Sequence, residues 1–189
     1  MEDIEPFYNW RDYYITEEDE HSPFFGQKYN EFYYDKSIYN YLIHPQWDDF
    51  GSETLYIKII YVDYDKGVAI LEFLGEWNDC ITNDIGLLKR GVIDVLKLQG
   101  IIKYILIGEN VLNFHYDADD YYQEWFEDVE NGWIAAINFQ DHVRSELIHN
   151  HLDYYIIMGG ELDDMDWRTY KPEIIIEKVE NVIQKRLNL

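Results

Sequence analysis

Residues 55–74 read LYIKIIYVDYDKGVAILEFL, and this stretch decides the fold. Leu55 to Tyr64 is rich in Tyr, Ile and Val, which favour a strand. Tyr64 to Gly67 is typical of a tight turn, in which glycine accommodates a positive φ. Val68 to Leu74 returns as a second strand, and its nearly continuous apolar character indicates a central position in a sheet. The stretch therefore predicts a β-hairpin.

Beyond the hairpin, helical and strand patterns alternate along the chain. Apolar residues recur at spacings of three and four in the helices, and Pro172 stands at a favoured first-turn position. The predicted order is a helix over 82–98, a strand over 102–107, a helix from Asp119 or Asp120 to about 129, a strand over 133–139, a helix from Asp141, a strand over 153–158 and a helix from Pro172. Such alternation implies parallel strands joined by right-handed crossovers. We therefore predict an α/β fold whose mixed sheet has a leading β-hairpin followed by βα units.

The first predicted helix has a buried stripe and a polar face. Its stripe is formed by apolar residues from Ile81 to Val95. The charged residues Lys89, Arg90, Asp94 and Lys97 are predicted to lie largely away from it.

Residues 1–50 have a different composition from the remainder. Many Tyr, Phe and Trp side chains are spaced by acids and Asn, and no helical period persists for more than one turn. We predict that residues 1–50 form an N-terminal arm and that residues 51–189 form a single α/β domain. The aromatic residues would anchor the arm on this domain or on a neighbouring subunit.

The net charge limits the classes of partner. The chain has 189 residues, with 15 Lys and Arg against 38 Asp and Glu, for a net charge of −23. This excess of acids disfavours binding to nucleic acid, which needs concentrated Lys and Arg. It also disfavours anionic membrane surfaces. A partner with a basic surface or a cation site stays open, beside the simpler interpretation that the charge keeps the protein soluble.

Cysteine content and hydropathy indicate a cytoplasmic protein. The one cysteine, Cys80, excludes an intramolecular disulfide framework and a Cys-rich zinc site, and we expect its thiol to be buried. The N-terminal residues lack the pattern of a signal peptide. No apolar run approaches the roughly 18 residues of a membrane span.

The order of elements over about residues 55–189 resembles that of the STAS domain family and the related SpoIIAA-like domains. Those domains share a leading β-hairpin followed by βα units. Their phosphorylatable switch lies after the third strand, in an Asp-Ser-Ser/Thr-Gly type of motif. Here the equivalent place reads Gly108-Glu109-Asn110-Val111, without a hydroxyl side chain. The resemblance implies a fold and an interaction or regulatory role, and no functional residue is carried over.

A polar cluster follows the predicted strand 102–107. In open α/β sheets, ligands bind beyond the carboxyl ends of strands. Oxygen-rich loops bind Ca²⁺ or Mg²⁺, and a histidine beside carboxylates can act as a base. Alternatively, the acids cap the next helix and the histidine donates to a backbone carbonyl. The candidate residues are Asn113, His115, Asp117, Asp119 and Asp120.

Aromatic residues on the next helix and one arginine are further candidates. Tyr121 and Trp125 lie on one helical stripe, and Tyr122 and Phe126 flank it. They fit either core packing or a protein-binding surface, where Tyr and Trp are enriched. Arg168 can bind a carboxylate of a partner with two hydrogen bonds, or pair with an acid of its own chain.

His142, Glu146 and His149 are weaker candidates, for a metal site. Their spacings of four and three place them on one helical face. Carboxylate–histidine metal sites in helical bundles need a second such pair, which the sequence lacks. The alternative is a solvated polar stripe, and we predict no cofactor.

Together these features favour a non-enzymatic protein-interaction or regulatory domain. The expected partner is another protein or a second copy of the chain, as in a homodimer. The alternative function is a metal-dependent or acid/base enzyme with a site around His115.

Overall fold

A computed structural model of the chain describes residues 2–188. The strands in that range are β1 (Glu2–Ile4), β2 (Ser37–Ile38), β3 (Tyr41–Ile43), β4 (Leu55–Asp63), β5 (Val68–Asn78), β6 (Lys103–His115) and β7 (Trp133–Ile137). The helices are α1 (Asp84–Leu88), α2 (Asp94–Leu98), α3 (Asp120–Asp128), α4 (Asp141–His149) and α5 (Pro172–Leu187). None of these helices is both long enough and apolar enough to span a membrane.

The main sheet has the strand order β4-β5-β6-β7. The hairpin pair β4 and β5 is antiparallel, whereas β6 pairs parallel to both β5 and β7. This topology confirms the predicted α/β fold with a mixed sheet, a leading hairpin and following βα units. A smaller sheet near the N-terminus has the order β1-β3-β2.

The main sheet is covered on both faces. Helices α1 to α4 pack their apolar residues on one face, including Leu88, Trp125 and Val143. Helix α5 covers the other face together with Trp10 and Trp167. Burial on both faces explains why β5 reads as an almost continuous apolar run.

Residues 84–98 form one continuous helical run, but its middle is not α-helical. Residues Lys89–Ile93 form a π-helical turn between α1 and α2. The extra residue in a π turn rotates the residues around it relative to an α-helical pattern. As a result Lys89 points inward and is fully buried, so the prediction that it lies away from the core is wrong.

Strand β6 is longer than predicted. It runs through Gly108 to His115 and pairs parallel to β5, with two shifts of register, as far as the pair Asn78 and His115. Gly108 does not end the strand. Its lack of a side chain leaves space for the ring of Phe139. A Cβ at this position would lie 2.2 Å from carbons of Phe139. The predicted strand end at residue 107 is therefore wrong, and Asn113 and His115 belong to β6.

The predicted strand over residues 153–158 is also wrong. A 3-10 turn over Leu152–Tyr154 begins the segment, and only Ile157 forms a bridge, with Ala135 of β7. The Ile157 N–H donates to the Ile134 carbonyl, and the Ile157 carbonyl accepts from the Ala136 N–H, both at 2.8 Å. The chain then turns away at Gly159, where φ is +90°. The outer edge of β7 is consequently covered only in part.

The N-terminal segment contacts the second face of the sheet. The Trp10 ring packs on Trp167 with centroids 5.5 Å apart, and its Nε1–H donates to the Tyr170 carbonyl at 2.9 Å. The Phe7 N–H donates to Glu72 of β5 at 3.0 Å. All these contacts lie within one chain. The division at residue 50 and the packing of the arm on a neighbouring subunit stay predictions.

Candidate functional site

The predicted cluster around His115 has no common centre. Asn113 Oδ1 accepts from the neighbouring Phe114 N–H, and the exposed His115 places Nε2 3.4 Å from Glu76 Oε1. Asp117 and Asp120 are exposed. The Asp119 carboxylate does not cap α3, because it accepts the Tyr155 hydroxyl at 2.8 Å. The chain therefore uses Asp119 to fix the segment that follows α4.

A buried carboxylate that we did not predict lies behind this edge of the sheet. Asp79 follows β5 and accepts from Tyr122 Oη at 2.6 Å, Trp77 Nε1 at 3.0 Å and the Ile85 N–H at 2.9 Å. Burial raises the pKa of Asp79 to about 6, although these hydrogen bonds favour its charged form. The carboxylate thus joins the end of β5 to α1 and α3. It is too enclosed to contact a ligand. The next residue, Cys80, is exposed, so the prediction of a buried thiol is wrong.

The Tyr122→Phe variant should destabilise the protein by about 1–2 kcal/mol, because it removes one donor from a buried carboxylate. The folded-state pKa of Asp79 is raised, so the contribution of Asp79 to stability is full below about pH 4 and falls as the pH rises through 6. Since the lost hydrogen bond favours the charged carboxylate, the destabilisation should be larger at pH 7.5 than at pH 4.5. Urea unfolding at both values tests this.

The control for this variant is Tyr121→Phe, at a partly exposed neighbouring tyrosine. It should change stability by less than about 0.5 kcal/mol at either pH. Equal losses of unfolding free energy in the two variants would contradict the role given to the Tyr122–Asp79 hydrogen bond.

A group of three carboxylates surrounds Lys89. Ligand oxygens of Asp94, Glu124 and Asp128 lie within 4.8 Å of one another, as a metal site would require. The ammonium group of Lys89 already occupies the centre. Its Nζ contacts Asp94, lies 2.8 Å from Asp128 Oδ2 and lies 3.5 Å from Glu124 Oε1. The lysine supplies the cation that these acids need.

One other such group occurs within the part of the chain that the structure describes, namely Asp3, Glu5 and His44. The Gln46 N–H donates to His44 Nδ1 at 3.1 Å. Nδ1 is then an acceptor, so the neutral ring carries its proton on Nε2. Ligating histidines normally donate from the second nitrogen. To bind a metal through Nε2 while Nδ1 accepts from Gln46, this neutral ring would have to lose its one N–H proton.

The predicted metal candidates on α4 lie on an exposed face of the helix. His142, Glu146 and His149 belong to neither group of three. His142 Nε2 lies 2.8 Å from the Leu112 carbonyl, so its ring fastens α4 to β6. This exposure fits the solvated polar stripe that we gave as the alternative, and both assignments stay predictions.

The aromatic candidates on α3 separate into buried and partly exposed residues. Tyr122 and Trp125 are buried, and Trp125 packs on Tyr104 with ring centroids 5.2 Å apart. Both are thereby removed from the candidate binding surface, because the centre of the helical stripe faces the core. Tyr121 is partly exposed under the Arg90 guanidinium. Phe126, next to Trp125, is 41% exposed.

Phe126 belongs to an exposed aromatic cluster. Its ring centroid lies 5.8 Å from that of Tyr154 and 5.7 Å from that of Tyr155. The two tyrosine rings are themselves 5.2 Å apart, and Tyr154 is 74% exposed. Sequence reasoning missed Tyr154 and Tyr155 because it placed them in a strand. The cluster exists because the segment after α4 turns back towards α3.

This cluster borders a hollow that we name the aromatic groove. It has a volume of about 340 Å³ and lies between the end of α3, the start of β7 and residues 154–157. Its lining is formed by Phe126, Glu127, Val129, Glu130, Asn131, Gly132, Trp133, Ile134, Tyr154, Tyr155 and Ile157. The groove occupies the part of the β7 edge that the segment after α4 leaves uncovered.

Arg168 is paired within the chain, which matches the second of its two predicted roles. Its guanidinium forms an ion pair with Glu109 and stacks on Trp167 at 4.5 Å from the ring centroid. Trp167 in turn packs on Phe7 over the buried Glu72. Arg168 therefore belongs to the layer that covers Glu72.

The fold is α/β with a mixed sheet. No protein family model matches the chain, and no curated protein matches its sequence. A solved structure similar to it is that of the anti-sigma factor antagonist SpoIIAA in its unphosphorylated form. The similarity has a TM-score of 0.44 at 11% sequence identity and covers 66% of this chain and 96% of the other. The fold class rests on the strand order, and the resemblance to the STAS family stays a prediction.

Proposed function

We propose that this chain is a non-enzymatic protein-interaction module that binds its partner in the aromatic groove. The observation that carries the proposal is the exposure of Phe126 and Tyr154 in one cluster with Tyr155. Contiguous exposed apolar surface on a folded protein marks interaction sites, and aromatic residues supply much of the binding free energy there.

The lining of the groove supports binding in preference to chemistry. Its described residues are aromatic and aliphatic side chains, two glutamates, one asparagine and one glycine. They include no Ser, Cys, His or Lys, so the groups able to act as a nucleophile or base there are the two glutamates and the two tyrosines. The apolar walls suit the side chain of a bound segment, which would gain about 25 cal/mol for each Å² of apolar surface removed from water.

Phe126→Ala and Tyr154→Ala should weaken partner binding by at least about tenfold, because each removes an aromatic wall of the groove. Tyr154→Ala should change the free energy of unfolding by less than about 1 kcal/mol, since this residue is 74% exposed. Phe126→Ala should cost about 1–2 kcal/mol, because Phe126 is more than half buried and packs on Tyr154 and Tyr155. A selection of random peptides displayed against the full chain provides ligands without a known partner. Fluorescence polarisation then compares their affinities for the variants and the unmodified chain.

The matched control is Phe32→Ala, since Phe32 is an exposed aromatic residue elsewhere on the chain, at 91% exposure. This substitution should leave affinity unchanged. Selected peptides that bind Tyr154→Ala and Phe126→Ala as tightly as the unmodified chain would contradict the proposal. A selection that enriches no sequence would count against it equally.

A further inference from the structure

Resting on the proposed function, we infer that the partner segment is basic. One of its apolar side chains enters the aromatic groove, and an adjacent Arg or Lys lies over the outer faces of Tyr154 and Tyr155.

The charges around the groove carry this inference. Glu127 and Glu130 line the groove itself. A second hollow that shares Tyr154 and Tyr155 is lined by Asp119, His151 and Asp153. The described linings of the two hollows contain four carboxylates, one histidine and no Lys or Arg. An acidic segment would meet like charge in both hollows, whereas a basic one meets complementary charge.

The ring geometry indicates where a cation binds. The three ring centroids are separated by 5.2 to 5.8 Å, so the rings contact one another and leave no room for a cation between them. This excludes a cage that encloses a quaternary ammonium group. A guanidinium or ammonium group can instead lie on the exposed face of Tyr154, with Asp153 beside it.

The floor of the groove accounts for the apolar side chain. Val129, Ile134 and Ile157 provide an aliphatic base beneath the aromatic wall. The Ile134 carbonyl accepts from Ile157, and Ile134 is only 1% exposed, so its backbone is closed to a bound segment.

Fluorescence polarisation with defined peptides tests the inference on the full chain. The probe is a labelled peptide with one central Leu, flanked by Arg on each side in a Gly/Ser background. One comparison peptide has Glu in place of each Arg, and another has Ala in place of Leu. We expect the Arg–Leu peptide to bind at least about tenfold more tightly than either comparison, with an affinity that falls as salt increases.

Matched charge variants separate local from general attraction. Glu130→Lys in the groove should lower the affinity for the Arg–Leu peptide by about tenfold or more. Glu177→Lys makes the same change in net charge on α5, which covers the opposite face of the sheet, and should have a much smaller effect. Equal effects of the two substitutions, or equal binding of the Arg and Glu peptides, would overturn the inference.

Three possible outcomes separate failure of the inference from failure of the proposed function. If random selection enriches peptides that need Tyr154 but lack Arg and Lys, the proposed function stands and the inference of a basic partner segment is wrong. If light scattering shows a dimer that Tyr154→Ala dissociates, the occupant is a second copy of the chain and the inference is overturned. If no peptide depends on Tyr154, both proposals fail.

Discussion

Replacement of Lys89 by Met is expected to lower the free energy of unfolding by about 2–3 kcal/mol, because it removes a buried ammonium group from carboxylates that are themselves only partly exposed. The Lys89 side chain is fully buried among Asp94, Glu124 and Asp128. Burial by itself lowers the pKa of Lys89, but hydrogen bonds to Asp128 and Asp94 outweigh it and raise the pKa. Without the ammonium group, three carboxylates would repel one another with fewer cations to compensate them.

The matched control for Lys89→Met is Lys97→Met. Lys97 Nζ lies 2.5 Å from Asp128 Oδ1, but its side chain is 45% exposed. An exposed pair of this kind contributes about 0–1 kcal/mol, so the control variant should remain close to the unmodified chain. Urea unfolding at pH 7 measures both. A loss below about 1 kcal/mol for Lys89→Met would contradict the role of Lys89 as the internal cation of this cluster.

Replacement of Glu72 by Gln is expected to stabilise the protein by up to about 3 kcal/mol at pH 8 and to change little at pH 4. Glu72 is buried in β5, and burial raises its pKa to about 7, with the hydrogen bond from the Phe7 N–H acting against this rise. A raised folded-state pKa means that the contribution of Glu72 to stability is full below its unfolded pKa, near 4.5. That contribution is lost as the pH rises through 7, and a neutral amide does not lose it.

The charged groups that influence Glu72 are Glu109, which raises its pKa, and Arg168, which lowers it. An exposed control, Glu177→Gln, should leave the pH dependence of unfolding unchanged. Urea unfolding at pH 4, 6 and 8 compares the two variants. Parallel pH profiles for Glu72→Gln and the unmodified chain would show that the pKa of Glu72 is the same in the folded and unfolded states, which would contradict the expected rise.

Local sequence patterns were sufficient to predict the fold class. The strand over 55–63, its turn and its partner from Val68 are where the Tyr, Ile and Val content and the turn at Gly67 placed them. The errors concern contacts between distant residues. Gly108 suggested a strand end, yet Phe139 packs on it from 31 positions away. Residues 153–158 are apolar enough for a strand, but their conformation is fixed by the hydrogen bond from Tyr155 to Asp119 and by a single bridge to β7.

The candidate site was predictable only in part. The aromatic pattern of α3 drew attention to the correct helix, but its stripe centre, Trp125, faces the core and the flanking Phe126 faces solvent. The other wall of the groove comes from Tyr154 and Tyr155, which helical periodicity cannot relate to α3. Lys89 was placed on the wrong face because a π turn changes the rotation that an α-helical period assumes.

Site-specific photo-crosslinking in the cells that make the protein tests the proposed interaction most directly. A benzophenone amino acid at position 154 is compared with the same residue at position 32, which is also exposed. We predict crosslinks from position 154 to a protein segment rich in Arg or Lys, lost when Phe126 is also changed to Ala, and none to that segment from position 32. Equal crosslinking from both positions, or crosslinks that persist without Phe126, would contradict a partner bound in the aromatic groove.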